Sequence, residues 1–275
     1  MVFLNYLISG IGLGSIYAII ALGYTMVYGI AKMLNFAHGD VIMVGAYVCF
    51  FAMSGLGGGS LPAFVPPLAG TLLAMVVCTV LGVVIERLAY KPLRQAGSLA
   101  VLITAIGVSY FLQNAAQLLW SSSPKMFTPV VSRDLQVPLP GGSSISVLTI
   151  LTVAVCVIIM LFLTWFTGRT KMGKAMRACS ENKAAAQLMG IDVNKTISMT
   201  FAIGSALAAI AGVLYLSAYP SLVPTTGSLP GIKAFTAAVF GGIGSIPGAL
   251  LGGLLLGVIE IFAGAYISTQ LSTAI

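Results

Sequence analysis

Residues 168–195 read GRTKMGKAMRACSENKAAAQLMGIDVNK, and this stretch decides the fold class of the chain. It carries six of the 13 Lys and Arg residues against only Glu181 and Asp192, and it lies between two long apolar segments. A soluble protein distributes charge over its surface. Here charge is confined to short connectors, as expected when the segments between them lie in lipid. The stretch therefore indicates a membrane protein, and its positive charge indicates the side that faces the cytoplasm.

Composition supports the same fold class. Charged residues make up 7% of the 275 residues and hydrophobic residues 59%, whereas a soluble domain averages about 25% charged residues. We predict an all-α, polytopic membrane protein, a single transmembrane domain over residues 1–275 with about eight transmembrane or broken helices, since each span needs about 20 residues. The apolar segments fall at about 3–30, 41–54, 61–85, 99–120, 145–167, 197–219, 234–245 and 247–267.

Charge in the connectors predicts the orientation of these segments. Connectors 86–95 and 168–195 hold nine of the 13 Lys and Arg residues, and two apolar segments separate them, so both face the same side. Cytoplasmic loops carry the excess of Lys and Arg. We therefore place both connectors and Lys32 in the cytoplasm, and the Ser-, Pro- and Gly-rich connector 121–144 outside. The first apolar segment follows no basic n-region and is expected to remain as an anchor.

Several function classes find no support in the sequence. The formal charge of +7 falls on short connectors without interleaved aromatic residues, so nucleic-acid binding is not expected. The chain has a single histidine, His38, and neither an H-E-x-x-H nor a G-x-S-x-G motif, so we predict no metal site and no enzyme. Segment 168–174 fits G-x-x-x-x-G-K, but Ala175 replaces the Ser or Thr that would hold Mg²⁺. We expect no cofactor in this chain, so energy for transport would come from a partner or a gradient.

The basic stretch itself predicts two short helices. The first covers about residues 172–179. Ser180 is suited to cap the second, with Glu181 at its first position and Gly190 just after its end. Ala185 with residues 188 and 189 would share one face at i, i+3 and i+4. Docking of this face to another protein is favoured over an amphipathic loop lying on the lipid headgroups.

A Gly-rich region at 231–257 differs from an ordinary span. Glycines recur at positions 244, 248 and 252, and again at 253 and 257, a spacing that lets another helix approach closely. Pro247 is expected to break the helix. Tight packing alone and a role in a transport pathway both remain open, as does an internal repeat that includes the glycines of 10–14.

Four ionisable residues in or beside apolar segments carry individual expectations. Glu260 lies deep in an apolar run, where a charge costs about 2.5–3.5 kcal/mol at the bilayer centre, so it should face protein or water. Lys233 is expected to reach the outer edge of the membrane. His38 and Asp40 open a helix at the inner face, where helix capping by Asp40 is the favoured role over a direct part in transport.

Several motifs together identify a family. They are LNFAHGD at 34–40, ERLAYKPLR at 86–94, GKAMRA at 173–178, and GIKAF at 231–235 with GGIGSIPG at 241–248. In this order they resemble the permease subunits of ATP-binding-cassette importers for branched-chain amino acids, the high-affinity LivH-type subunit in particular. Permeases for urea and short amides are similar, so the substrate stays open. Members of the family usually continue with a further apolar helix and a polar tail, so a truncation after Ile275 is expected.

The resemblance implies a coupling loop and a set of partners. Residues 173–190 would insert into a groove of a cytoplasmic ATPase that uses ATP. Two such ATPases, a second permease related to this one and a periplasmic binding protein would form the importer in a prokaryotic inner membrane. The implied ATPase-coupling residues are Gly173, Arg177, Ala178, Glu181, Asn182, Ala185 and Gly190. For the translocation pathway we expect Asn35, His38, Asp40, Lys233, Gly241, Gly244 and Glu260.

Other transport classes make different predictions. A gradient-driven secondary transporter needs a titratable relay within its spans, for which Glu260 alone offers little. A channel needs no docking loop. An intramembrane enzyme would turn over substrate without partners.

Overall fold

The computed structural model describes residues 2–57, 62, 64–94, 96–132, 135–138 and 144–274. Seven of the described helices are long and apolar enough to cross a membrane. These are α1 (Val2–Ala31), α2 (His38–Leu56), α3 (Val65–Ile85), α4 (Ser98–Trp120), α5 (Val147–Arg169), α8 (Val193–Ala218) and α10 (Ile246–Tyr266). The remaining α-helices are α6 (Lys171–Glu181), α7 (Lys183–Leu188), α9 (Ser228–Phe240) and α11 (Thr269–Ala274).

The all-α, multi-pass prediction is confirmed. With the short apolar helix α9 of 13 residues, the described spans and broken helices come to the expected number. Four short strands lie outside the spans: β1 (Lys125–Met126), β2 (Gln136–Pro138), β3 (Ser144–Ser146) and β4 (Ser221–Leu222). After α3 the chain continues as a π-helical turn, Glu86–Tyr90, and a 3₁₀ turn, Lys91–Leu93.

Helices α1 and α8 form the centre of the bundle. In each of these two helices, 72% of the most apolar 18-residue stretch is buried, against 22% for α4 and 28% for α5. All of these helices are apolar around their circumference, and a helix of this kind is either buried or exposed to lipid. The outer faces of α4 and α5 therefore point toward lipid or toward another membrane protein.

Small residues bring α1 and α10 together. The backbone of Gly257 lies directly against Gly14, so a methyl group at Gly257 would collide with it. One turn along, a methyl group at Gly253 would come within 2.5 Å of the Cα of Ala18. Four-residue spacing of small residues on both helices permits this approach. The two Gly-rich stretches singled out in the sequence are thus partners in one helix contact.

The basic connectors meet at one end of the bundle, called here the basic end. Arg94 donates a hydrogen bond to the side chain of Asn194, and Lys183 Nζ donates to the carbonyl oxygen of Ala31 at 2.7 Å. Connector 121–144 lies at the opposite end, where β1 pairs with β4 and Lys125 is opposite Leu222. This arrangement agrees with the predicted grouping of the connectors. Positions 133–134 and 139–143 of connector 121–144 fall outside the described residues.

Candidate functional site

The loop between α5 and α8 forms the first candidate region. Three side-chain caps shape it: Thr170 Oγ1 accepts from the amide of Gly173 at 3.0 Å, Asn182 Oδ1 from Ala185 at 3.0 Å, and Asp192 Oδ1 from Lys195 at 3.0 Å. Each satisfies an amide that the first helical turn leaves unpaired. The prediction of two short helices is confirmed.

The boundary between the two short helices, α6 and α7, differs from the prediction. Ser180 was expected to cap the second helix with Glu181 at its first position, and this is wrong. Helix α6 continues through Glu181, and Asn182, in an extended conformation at φ −151°, caps α7 instead. The extended residue turns the chain and its side chain then caps the next helix. Gly190 adopts φ +80° just after α7, as expected of a helix-ending glycine.

One face of this loop is apolar and exposed. Leu188 is 89% exposed and Met189 is 83% exposed, and Ala185 beside them is also exposed. On the opposite side Ala186 is buried against the bundle. Glu181 is exposed as well, Ala178 is half-buried, and Gly173 is buried where the start of α6 touches the end of α5. Exposed large apolar side chains that cluster in this way are typical of interaction sites.

Lys183 anchors the loop to the central helix. Ala31, whose carbonyl oxygen accepts the hydrogen bond from Lys183, is the last residue of α1. The ammonium group therefore satisfies a carbonyl that the end of the helix leaves unpaired. Burial lowers the pKa of Lys183, and the nearby positive charge of Arg94 lowers it further. A displacement of α7 would therefore act directly on the basic end of α1.

A second anchor lies next to it and was missed in the sequence. Glu86 is fully buried and forms an ion pair with Arg94, while Ser198 donates to Glu86 Oε2 at 2.6 Å. In the sequence, Glu86 and Arg94 lie in a basic connector and in the motif ERLAYKPLR, and Ser198 lies in an apolar segment, with no contact predicted among them. The eight-residue separation of Glu86 and Arg94, across a turn, gave no helical spacing that could have indicated the pair.

The predicted pathway residues Asn35, His38 and Asp40 lie where α2 begins. Asn35 is buried and its Oδ1 accepts a hydrogen bond from the Tyr90 hydroxyl at 2.9 Å. His38 is fully buried, with its ring 4.6 Å from that of Tyr24. The predicted capping role of Asp40 is wrong, because α2 has no side-chain cap and follows Ala37.

Asp40 instead faces a polar cluster on α4 and α9. Its Oδ1 accepts a hydrogen bond from Gln113 Nε2 at 2.9 Å. The same amide nitrogen lies 3.2 Å from Ser109 Oγ and 3.3 Å from Ser228 Oγ. A cavity of about 270 Å³ opens beside this cluster, with Tyr24, Phe36, Ile106, Tyr110 and Ile232 among its walls. Gln113, Ser109 and Ser228 were missed, because single polar residues in separate apolar segments show no shared spacing.

Lys233 and Glu260 pair within the membrane-spanning part of the structure. Their Nζ and Oε1 atoms lie 2.7 Å apart, and the Tyr17 hydroxyl donates to Glu260 Oε2 at 2.9 Å. The expectation that Glu260 faces the protein is confirmed. The expectation that Lys233 reaches the outer edge is wrong: the residue is 8% exposed, because an ammonium group beside a buried carboxylate is stabilised there.

The Gly-rich break separates α9 from α10 through residues 241–245. Gly242 and Gly244 have φ +83° and +104°, and Gly241 packs directly on the backbone of Gly248. Pro247 occupies the first turn of α10, where its missing N–H is tolerated, so the predicted break is confirmed.

A cavity of about 300 Å³ separates this break from α6. Gly244 and Ser245 form one wall, and Met176, Arg177 and Ser180 of α6 form another. Of the predicted residues, this cavity brings together Arg177 of the coupling set and Gly244 of the pathway set, and the others lie outside its walls.

Comparison with known proteins identifies the family. Residues 6–275 match the family described as branched-chain amino acid transport system / permease component. The chain belongs to this family. It is 46% identical over 273 residues to the high-affinity branched-chain amino acid transport system permease protein BraD of Pseudomonas aeruginosa, covering 98% of this chain and 88% of that protein.

Two further relatives extend this similarity. The high-affinity permease protein LivH of Escherichia coli is 45% identical over 271 residues, with 98% of this chain and 88% of LivH covered. A probable branched-chain amino acid transport permease protein LivH of Methanocaldococcus jannaschii is 31% identical, with 93% and 79% covered. Together with its seven candidate spans, membership of this family makes the permease a multi-pass inner-membrane protein of an ATP-binding-cassette transport system.

Proposed function

We propose that this permease is one membrane subunit of an ATP-driven importer that moves leucine, isoleucine and valine delivered by a periplasmic binding protein. Two relatives of nearly the same extent are named high-affinity branched-chain amino acid transport permeases, which supports this substrate class. The observation that carries the proposal is the exposed apolar face of α7 on a loop anchored to α1 and α8.

The exposed face is the docking site for a cytoplasmic ATPase. Leu188 and Met189 are almost fully exposed, so they have their apolar surface available for a partner groove. Arg177, Glu181 and Asn182 lie on the same loop, and basic residues at this end agree with a cytoplasmic location. Two copies of the ATPase would then act on two permeases through such loops.

The translocation pathway runs between this permease and a second, related one. The cavity beside Asp40 opens between α4 and α9, next to exposed Ile232 and Tyr110. A polar, charged recess facing hydrocarbon would be unfavourable, so another protein surface or water must cover it. A second permease against this side would close the recess into a passage.

ATP-driven movement would reach the pathway through α6. The cavity between α6 and the break at Gly244 leaves room for relative movement of the two. Closure of the ATPases would shift the loop, and the break lets α9 move without bending a continuous helix. The buried ion pair of Lys233 and Glu260 argues against a proton relay, since the carboxylate already has a cationic partner.

The test combines transport with assembly. In proteoliposomes that contain the permease pair, the ATPases and the binding protein, leucine uptake should require both ATP and the binding protein. Leu188→Glu should abolish co-purification of the ATPase and lower uptake at least tenfold. Leu135→Glu is the matched control: Leu135 is 54% exposed on the opposite side, so ATPase association should be unchanged.

Two results would contradict the proposal. Wild-type uptake that proceeds without ATPase or binding protein would favour a channel or a gradient-driven transporter. Uptake of urea or short amides in preference to leucine would move the protein to the related amide permeases.

A further inference from the structure

Three acidic residues of the described bundle have different surroundings: Asp40 and Glu86 are buried, and Glu260 is largely buried. Glu86 is paired with Arg94 and Glu260 with Lys233. Asp40 is only 2% exposed, yet neither of the two ion pairs in the described part of the chain includes it. A buried carboxylate is unfavourable without a cation or several donors. Asp40 therefore depends on neutral hydrogen-bond donors, and no ion pair in the described part of the chain neutralises its charge.

The neighbours of Asp40 are neutral groups and bring no positive charge. The amide nitrogen of Gln113 faces three oxygens, those of Asp40, Ser109 and Ser228, at 2.9, 3.2 and 3.3 Å. The amide group has two N–H donors and each serine hydroxyl has one, that of Ser109 bonding Asp40. The carboxylate has about four lone-pair sites and each hydroxyl has two, so some of these lone pairs remain available. The cluster consequently offers hydrogen-bond acceptors to a donor that enters the cavity.

The shape of the cavity narrows the choice of cation. Its volume of about 270 Å³ is close to the lower end of small-molecule sites. Polar groups line one side, while Phe36, Ile106 and Ile232 provide apolar walls. A hard metal cation prefers six or more oxygen ligands around it, which one polar side does not supply. A solute with an ammonium group and an apolar side chain can place the first against the polar side and the second against the apolar walls.

We propose that the Asp40 carboxylate, together with the hydroxyl oxygens of Ser109 and Ser228, accepts hydrogen bonds from the α-ammonium group of the transported amino acid. The inference rests on the proposed function, because it assumes that an amino acid passes this cavity. Gln113 positions the carboxylate. The apolar walls accommodate the branched side chain, so the site favours aliphatic amino acids over aliphatic acids of the same shape.

Asp40→Asn is the decisive variant, because it keeps the shape and the oxygen that accepts from Gln113 and removes only the charge. In proteoliposomes with all partners, it should lower leucine uptake at least tenfold, while the ATPases still co-purify with the permease. Ser109→Ala keeps the charge and should lower uptake less than threefold. Asp40→Glu should recover part of the uptake.

Solutes enclosed in the vesicles reach the permease without the binding protein, so they test directly whether the site recognises an ammonium group. Isopentylamine retains the ammonium group and should inhibit uptake by wild type but not by Asp40→Asn. 4-Methylpentanoate, which lacks it, should leave both unaffected. Equal inhibition of wild type by the two solutes, or equal inhibition of both proteins by the amine, would overturn the proposal.

Three further outcomes can be told apart. Normal uptake by Asp40→Asn overturns the assignment while ATP-driven uptake by wild type upholds the transport function. If replacing Na⁺ with K⁺ reduces wild-type uptake and Asp40→Asn removes this dependence, the site binds a metal cation and the ammonium assignment is wrong. Absence of ATP-driven leucine uptake by wild type would instead reject the proposed function itself.

Discussion

The loop at the basic end and the polar residues within the bundle are organised in different ways. In the loop, every cap joins residues three apart in sequence, as Asn182 and Ala185 do. Within the bundle, Tyr17 reaches Glu260 across 243 positions, and Gln113 reaches Asp40 across 73. Local bonds shape a surface that a partner can use, whereas long-range bonds fix the relative positions of helices. Substitutions in the two regions should therefore differ in how much stability they remove and in how many residues they affect.

The largest loss of stability is expected from breaking the buried ion pair between α9 and α10. Lys233→Ala leaves the Glu260 carboxylate without its cation, and breaking a buried pair in this way costs about 3–5 kcal/mol. Thermal or denaturant unfolding in detergent measures the loss. Lys171→Ala, at an exposed position of the loop, should change the free energy of unfolding by less than about 0.5 kcal/mol.

A double variant separates the charge from the packing. Lys233→Met with Glu260→Leu replaces the whole pair by apolar groups, which is often neutral. Most of the lost stability should return. A double variant as unstable as the sum of its single variants would show that the pair is not coupled.

The next effect is expected where the bundle meets the loop. Glu86→Gln removes the charged acceptor of Arg94 and weakens the bond from Ser198, which should cost about 1.5–3 kcal/mol. Unfolding measurements report the loss, and hydrogen exchange should rise in 86–94. Arg87→Gln is exposed and serves as the control. An equal effect of the two substitutions would contradict the anchoring role of Glu86.

A smaller effect is expected at the break between α9 and α10. Gly244 has φ +104°, a conformation that a side chain disfavours, so Gly244→Ala should cost about 1–3 kcal/mol and slow uptake. Gly107→Ala is the matched control, because Gly107 lies in α4 with open space around it. Within a helix, a Gly→Ala change is expected to stabilise the folded protein by about 0.5–1 kcal/mol. Unchanged uptake by Gly244→Ala would argue against movement at the break.

The smallest effect is confined to the loop. Asn182→Ala removes the cap of α7 and should cost about 1 kcal/mol, visible as faster hydrogen exchange in 185–188 alone. Ser180→Ala should leave that exchange unchanged, because its hydroxyl donates within α6 to the carbonyl of Arg177. Faster exchange in both variants would restore the capping role first assigned to Ser180.

The difference between the regions also explains which predictions from sequence were right. The spans, the helix break just before Pro247 and the helix end at Gly190 follow from hydropathy and backbone preference, which neighbouring residues determine. The cap of α7 was assigned two residues away, because Ser and Asn are comparable caps and the tertiary course of the chain decides between them.

By itself the sequence determined that this chain is an α-helical membrane protein with a basic loop and a broken Gly-rich helix, because lipid permits only internally hydrogen-bonded segments and excludes charge. Only the tertiary structure decided that Lys233 pairs with Glu260, that Glu86 holds Arg94, and that Asp40 faces a cavity whose described lining includes no Lys or Arg. These contacts join helices far apart in sequence, so no local periodicity encodes them. The packing of small residues between α1 and α10, and between α9 and α10, sets which polar side chains come within reach of one another.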